Sequence, residues 1–555
     1  MNENMITNPI LPGFNPDPSI CRVGEDYYIA TSTFEWYPGV QIHHSRDLAN
    51  WTLVSRPLAR ADLLDMRGNP DSCGIWAPCL TYADGLFWLV YTDVKRLSGS
   101  FKDAPNYVTT APSITGPWSE RVYLNSSGFD PSLFHAPDGR KYLVNMLWDH
   151  RQTGHGDQFA GIVLQEYSVA EKKLTGPVHN IFKGTDRKLT EAPHLYFRDG
   201  WYYLMTAEGG TGYDHAVTLA RSRDLLGPYE VHPQKHVLTT AFAPDAPLQR
   251  CGHADIVDTP AGETYMVHLC SRPITVTGSA GQSDIRRDLP GSNVLQRRSP
   301  LGRETAIQKV EWRDDGWLYL AEGGQHPTSL HTPRPAGIVA AAAEETAVRT
   351  SFAPGPLPSA FQWLRSPEPD RLFSLDASPG QLRIYGRQSP GNMFEQALLA
   401  RRQTAHRYRA ATRMHYEPRD FQSFAGLICW YNQCQYHFLS VTREDDGSRA
   451  LRIMSTLGDF PFGKAVFSGE PQKLPDGPVE LRAEVDEAAL QFSWRVSDGA
   501  WQTIGPVLDA TILSDEAGVG EGNNFTGAFV GMAAYDISGQ GHAADFDWFD
   551  YETLG

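Results

Sequence analysis

A chain of 555 residues, 41% hydrophobic and 21% charged, exceeds what one hydrophobic core serves, since single cores stop growing near about 250–300 residues. Its composition is that of a folded protein rather than a disordered, fibrous or membrane chain. The formal net charge of −16 argues against a nucleic-acid partner, which would call for a clustered basic face, and favours a neutral substrate.

The start, MNENMITNPILPGF, lacks the basic stretch, apolar run and cleavage site of a secretion signal. No uninterrupted apolar stretch has membrane-spanning length, so the cytoplasm is the expected compartment and no membrane partner is expected. Seven cysteines are scattered without paired CxxC spacing and read as reduced core thiols.

A turn followed by an aromatic, apolar strand then recurs five times: GEDYYIAT, DGLFWLVYT, DGRKYLVNM, DGWYYLMTA and GETYMVHLC. Anchored on Tyr28, Trp88, Tyr142, Tyr202 and Tyr265, the steps are 60, 54, 60 and 63 residues, enough for one four-stranded sheet each. The spacing predicts a five-bladed β-propeller. Upstream of each turn runs a matching strand, NPDPSICR, IWAPCLTY, FDPSLFHA, EAPHLYFR and HADIVDTP, expected to be the innermost of its blade.

After LGRETAIQKVEWRDDGWLYL the period stops, and GGQHPTSLHTPRPAGIVAAAAEE is rich in Gly, Pro and Ala, as linkers often are. The expected domains are therefore a propeller over 1–334 and a second domain over 335–555. In the latter, HRYRAATRMHY, YHFLSVTRE, VELRAEVD, LQFSWRVS and TGAFVGMAAYD read as antiparallel strands of a β-sandwich. The fold class is all-β throughout.

Eleven or twelve residues before the five anchors stand Asp17, Trp76, Asp130, Glu191 and His253. In a closed radial repeat such positions converge on the axis, which predicts three carboxylates in one pocket. One Asp beside Pro is ordinary turn chemistry; acids at the same position in three of five repeats are not explained by turn capping and point to catalysis. Paired carboxylates suit hydrolysis of a glycosidic bond. Glu191, in an apolar strand beside Ala192 and Pro193, is the candidate general acid. Asp17, in a polar Asn and Pro turn, is the candidate base, and Asp130 would orient and tune Glu191.

Phe34, Trp76 and Trp148 offer apolar faces for sugar rings, with blade packing as the alternative. His253 is a candidate hydrogen-bonding residue of the channel. One His without a cluster of acidic ligands does not favour a metal, so no cofactor is expected and a divalent cation near His253 is the unfavoured alternative. Arg303 suits either an ordinary salt bridge or a clamp on sugar hydroxyls and ionised acids.

These segments, NPILPGFNPDPSI, YYIATSTFEWYPGVQIHHSRDL, GFDPSLFH, GTDRKLTEAPHLY, GHADIVDTP and SPLGRETAIQKVEW, with FTGAFVGMAAYD and ADFDWFDYE near the end, closely resemble the β-xylosidases of glycoside hydrolase family 43. Long motifs in one order over nearly the whole chain are more specific than any short pattern. The resemblance implies a five-bladed propeller followed by a concanavalin-like sandwich, and an inverting, exo-acting enzyme that releases xylose from the non-reducing end of xylo-oligosaccharides. It also implies α-L-arabinofuranosidase side activity, with a primary α-L-arabinofuranosidase as the alternative, and a homo-oligomer, expected as a tetramer.

Position by position, the resemblance makes Asp17 the general base, Asp130 the pKa modulator and Glu191 the general acid. Phe34, Trp76, Ala77, Thr211, His253 and Arg303 become walls of the xylose pocket, Trp148 flanks the leaving sugar, and Phe525 is inserted by a sandwich loop to close the far end. TEAP stands where TEGP is common, and TVTGSAGQSDIRRDLPGSNVLQRR before SPLGRE is longer than usual. A non-catalytic carbohydrate-binding propeller would lack one of the three acids, and an endo-acting arabinanase would need an open groove.

Overall fold

The computed structural model describes residues 4–151, 158–276, 297–337, 348–517 and 524–555. Among these the only helices are single 3-10 turns at Pro369–Arg371, Ala510–Ile512 and Asp515–Ala517. None is long and apolar enough to cross a membrane.

Five four-stranded antiparallel sheets follow one another in chain order. Their first strands are Ser19–Val23, Gly74–Ala83, Ser132–His135, Glu191–Arg198 and Gln249–Asp258, the strands expected to lie innermost. Tight turns set the hairpins. In blade 4, Asp199 (φ 51°) and Gly200 (φ 74°) both take the left-handed conformation that the twist of a two-residue hairpin demands, which is why DG marks the turn in the sequence.

Core clusters lie between blades. Trp88, Val90 and Val108 of blade 2 pack on Leu133, Leu143 and Tyr167 of blade 3, and Tyr203, Met205 and Val217 of blade 4 on Met266, Cys270 and Ala306 of blade 5. Blade 5 packs back on blade 1 through Val267 and Ile307 against Ile20 and Ile29, and beside them Met5–Thr7 pairs with His331–Pro333 in a separate two-stranded sheet. On the axis, the Asp255 carboxylate accepts from Ser19 Oγ (3.0 Å) and Ile20 N (2.8 Å) of blade 1 and from Tyr196 Oη (2.6 Å) of blade 4. One buried acid thus ties the inner strands of three blades.

Sheet membership changes between His331–Pro333 and Arg349–Ser351, which pairs with the last strand, Ala544–Thr553. The Ala-rich part of the linker lies outside the described residues, as does most of the long stretch before SPLGRE. Beyond the linker two eight-stranded sheets face each other over a core that includes Leu399, Leu427, Leu481 and Phe492. All five segments read as strands are strands. One edge of the sandwich was not foreseen: Trp36–Tyr37, from a blade 1 loop, pairs with Trp363 and Leu364 as an eighth strand. Trp36 stacks on Phe529 with centroids 3.7 Å apart and ring planes inclined by 13°. A two-residue strand carries no period-2 signal, so it reads as loop.

Six of the seven cysteines are buried, Cys21 is partly so, and all are free thiols.

Candidate active site

In or just before each inner strand a non-glycine residue has positive φ: Asp17 (55°), Ala77 (36°), Asp130 (54°), Ala192 (51°) and His253 (46°). Such strain clusters at functional sites because the surrounding fold must hold it in place. It also corrects the repeat register. In blades 2 and 4 the equivalent residues are Ala77 and Ala192, so Trp76 and Glu191 sit one position earlier than Asp17, Asp130 and His253. Register shifts lie beside these positions in blades 2, 4 and 5. Recurrence at one position is therefore approximate.

The contacts gather around Asp17. Its Oδ1 is 3.0 Å from Arg303 Nη1 and 3.6 Å from His253 Nδ1, and Oδ2 accepts from Ser32 Oγ at 2.7 Å. The same hydroxyl accepts from the Ala77 N–H at 2.7 Å, which links blade 1 to blade 2. Burial works to raise the Asp17 carboxyl, but Arg303, then His253 and Ser32, outweigh it and hold the group below its ordinary range. Burial pushes His253 down to about 4 against the pull of Asp17, so its imidazole is neutral at pH 7.

Asp130 Oδ2 accepts from the Ala192 N–H at 3.1 Å, which places it beside the strand carrying Glu191. Glu191 is 7% exposed. Burial, then the charge of Asp17, pushes its carboxyl up to about 8, against Arg303 and Lys102. Asp130 is also raised, by burial, then by Glu191 and Asp17. The pocket thus holds an ionised carboxylate and a protonated carboxylic acid together at neutral pH, the pair that acid–base hydrolysis of a glycoside requires.

Aromatic rings line the approach. Phe34 and Trp76 have centroids 5.7 Å apart, Trp76 and Phe129 5.4 Å, and Phe129 and Trp148 6.2 Å. Lys102 Nζ lies over this row, 4.5 Å from the Trp148 ring and 5.6 Å from that of Trp76. Phe129 and Lys102 were not singled out from the sequence. Phe129 was within reach, as the residue before Asp130 in GFDPS, whereas nothing in SGSFKDAP marks its lysine.

The sandwich supplies Phe525, whose ring is 6.1 Å from Trp76. Its carbonyl accepts from Arg303 Nη2 at 2.8 Å, so a single guanidinium holds both Asp17 and the sandwich loop. Gly302, at φ 70°, meets this loop so closely that a Cβ there would lie 2.4 Å from the Thr526 carbonyl oxygen; the Gly of LGRET is thereby explained. Thr211 joins by its main chain: its carbonyl accepts from Arg250 Nε at 2.8 Å. His215, also missed, is buried, bonded to the Arg250 carbonyl at 3.0 Å and held neutral by that burial.

Family profiles match the chain on both sides of the linker: Glycosyl hydrolases family 43 over residues 6–318, and the Beta xylosidase C-terminal Concanavalin A-like domain over 349–552. A Xylosidase/arabinosidase 43B of Humicola insolens is 54% identical over 99% of this chain and 98% of its own. A Beta-xylosidase of Bacillus subtilis (strain 168) is 47% identical over 99% of both chains. Among solved structures, a xylan beta-1,4-xylosidase from Bacillus halodurans C-125 superposes with a TM-score of 0.91 at 47% identity, covering 99% of this chain and 100% of its own. With both of its domains matched, and with relatives this similar along its whole length, the chain belongs to glycosyl hydrolases family 43.

Proposed function

We propose that the protein is an exo-acting, inverting β-D-xylosidase that releases xylose from the non-reducing end of xylo-oligosaccharides, with α-L-arabinofuranosidase side activity. The observation that carries the reading is the split of protonation states within one buried pocket. Asp17 is held ionised by Arg303, while Glu191 is raised to about 8. The names of the most similar relatives, β-xylosidase and xylosidase/arabinosidase, support the sugar class and the side activity.

In this mechanism Glu191 protonates the glycosidic oxygen as the C–O bond breaks. Asp17 takes a proton from the water that attacks the anomeric carbon from the opposite face. Burial and the charge of Asp17 keep Glu191 protonated, and Asp130, bonded to the Ala192 N–H, orients and tunes it. Before the next turnover Asp17 returns its proton and Glu191 regains one. Phe34, Trp76, Ala77, Thr211, His253, Arg303 and Phe525 are assigned to the sugar pocket, and Trp148 to the leaving sugar. Phe525 closes the far end and confines cleavage to chain ends. A cytoplasmic homo-oligomer, expected as a tetramer, completes the proposal, and light scattering measures its size.

A panel of aryl β-xyloside, aryl α-arabinofuranoside and xylo-oligosaccharides, followed by proton NMR, tests it. The expected outcome is higher kcat/KM on the xylosides and α-xylose as the first product; β-xylose would overturn inversion, and a preference for the arabinofuranoside would make the second activity the main one.

A further inference from the structure

Trp76 and Phe525 reach the pocket from different domains, yet both hang from one residue. Ser72, in the segment before blade 2, is fully buried (0% exposed) and left-handed at φ 60°. Its carbonyl accepts the indole Nε1–H of Trp76 at 2.8 Å. Its Oγ accepts the main-chain N–H of Phe525 at 3.1 Å. Its own N–H is donated to Glu35 Oε2 at 3.0 Å.

Glu35 is anchored in turn. It follows Phe34 in the chain, and its carbonyl accepts from the N–H of Arg365, at the end of a sandwich strand, at 2.9 Å. The Arg365 guanidinium is paired with Asp71, the neighbour of Ser72, at 2.6 Å. Phe34 and Ile75 exchange main-chain hydrogen bonds of 3.0 and 3.1 Å. Three ring walls, from blade 1, blade 2 and the sandwich, are thus referred to one buried serine–glutamate post.

We infer that Ser72, seated on Glu35, is a specificity-determining positioning residue that fixes the gap between the propeller wall (Trp76) and the sandwich wall (Phe525), and with it whether a pyranose or a furanose ring fits. The inference rests on the reading of both aromatics as pocket walls. Ser72 touches no reacting atom. It contributes equally to bound substrate and transition state, so its loss should appear in KM rather than in kcat.

Ser72→Gly is the clean variant, because glycine takes a φ of 60° without strain and only the small hydroxymethyl group, with its Oγ, is lost. The expected result is a rise in KM for xylobiose of about ten-fold with kcat within about two-fold, the size expected for one buried hydrogen bond. The ratio of kcat/KM between aryl β-xyloside and aryl α-arabinofuranoside should shift by about three-fold or more. Glu35→Gln, which still offers an acceptor to the Ser72 N–H, should keep the parental KM and ratio, whereas Glu35→Ala should reproduce Ser72→Gly. A lower melting temperature with KM and ratio unchanged would overturn the inference, as would a loss confined to kcat. Trp76→Ala and Phe525→Ala separate the two levels. If they raise KM and Ser72→Gly does not, the inference alone falls; if neither raises KM, the pocket reading falls and takes the inference with it.

Discussion

At the scale of single residues, the chemistry turns on three acids in different electrostatic surroundings. Asp17 keeps its charge because Arg303 lies 3.0 Å away. Glu191, with no salt-bridged cation among the described residues, is raised by burial and then by Asp17. This predicts a bell-shaped pH dependence of kcat/KM, with the alkaline limb near pH 8, where Glu191 loses its proton, and the acid limb below the ordinary Asp range. Arg303→Met should move the acid limb upward, since the largest influence lowering Asp17 is gone; an unmoved limb would detach Arg303 from the base. Glu191→Ala should slow xylobiose far more than an activated aryl xyloside, whose leaving group needs little protonation. Equal losses on both would end the assignment of Glu191 as acid. The acids were legible because NPDPS, FDPS and TEAP head repeated strands. Lys102 was not, because its place over Trp148 is decided by a loop fold that no local pattern announces.

Among elements, the short strand Trp36–Tyr37 shows how far a local reading extends. The blades were legible because each repeats hydrophobic alternation and turn chemistry within about sixty residues. FEWYPG carries no such pattern, and its partner, Gln362–Leu364, lies more than three hundred residues away in the chain. Beside this strand, Glu35 is pushed up to about 8 from an ordinary 4.5 by burial, then by Asp71, against Arg365. A carboxyl whose folded pKa exceeds its unfolded value contributes stability that is complete below the unfolded value and lost as pH rises through the folded one. Urea denaturation should therefore give a midpoint that falls between pH 5 and pH 8.5, and falls less in Glu35→Gln, which cannot ionise. Equal falls in both proteins would mean that Glu35 is ionised throughout this range.

For the whole molecule, the question is whether the propeller and the sandwich act as one body. Their boundary holds buried charge on both sides. Arg250 Nη2 lies 2.8 Å from Asp515 Oδ2, and Glu516 accepts from Ser299 N at 2.9 Å and from Ser299 Oγ at 2.8 Å. Asp515 accepts from Tyr431 Oη at 2.5 Å, and that hydroxyl accepts the Thr526 N–H at 3.2 Å. An ion pair between domains is thereby joined through one tyrosine to the residue next to Phe525. Contacts of this kind bind the domains more firmly than a flexible linker would, so a single calorimetric transition is expected in place of two. Arg250→Met leaves the buried Asp515 side chain without its cation, a loss of about 3–5 kcal/mol for breaking a buried pair. Because the same link steadies the Phe525 segment, KM for xylobiose should rise with the loss of stability. Calorimetry and kinetics on one preparation of the variant check both. A lowered transition temperature with unchanged KM would show that the interface stabilises the molecule without shaping the pocket, and two resolved transitions in the parent protein would show that the domains unfold apart.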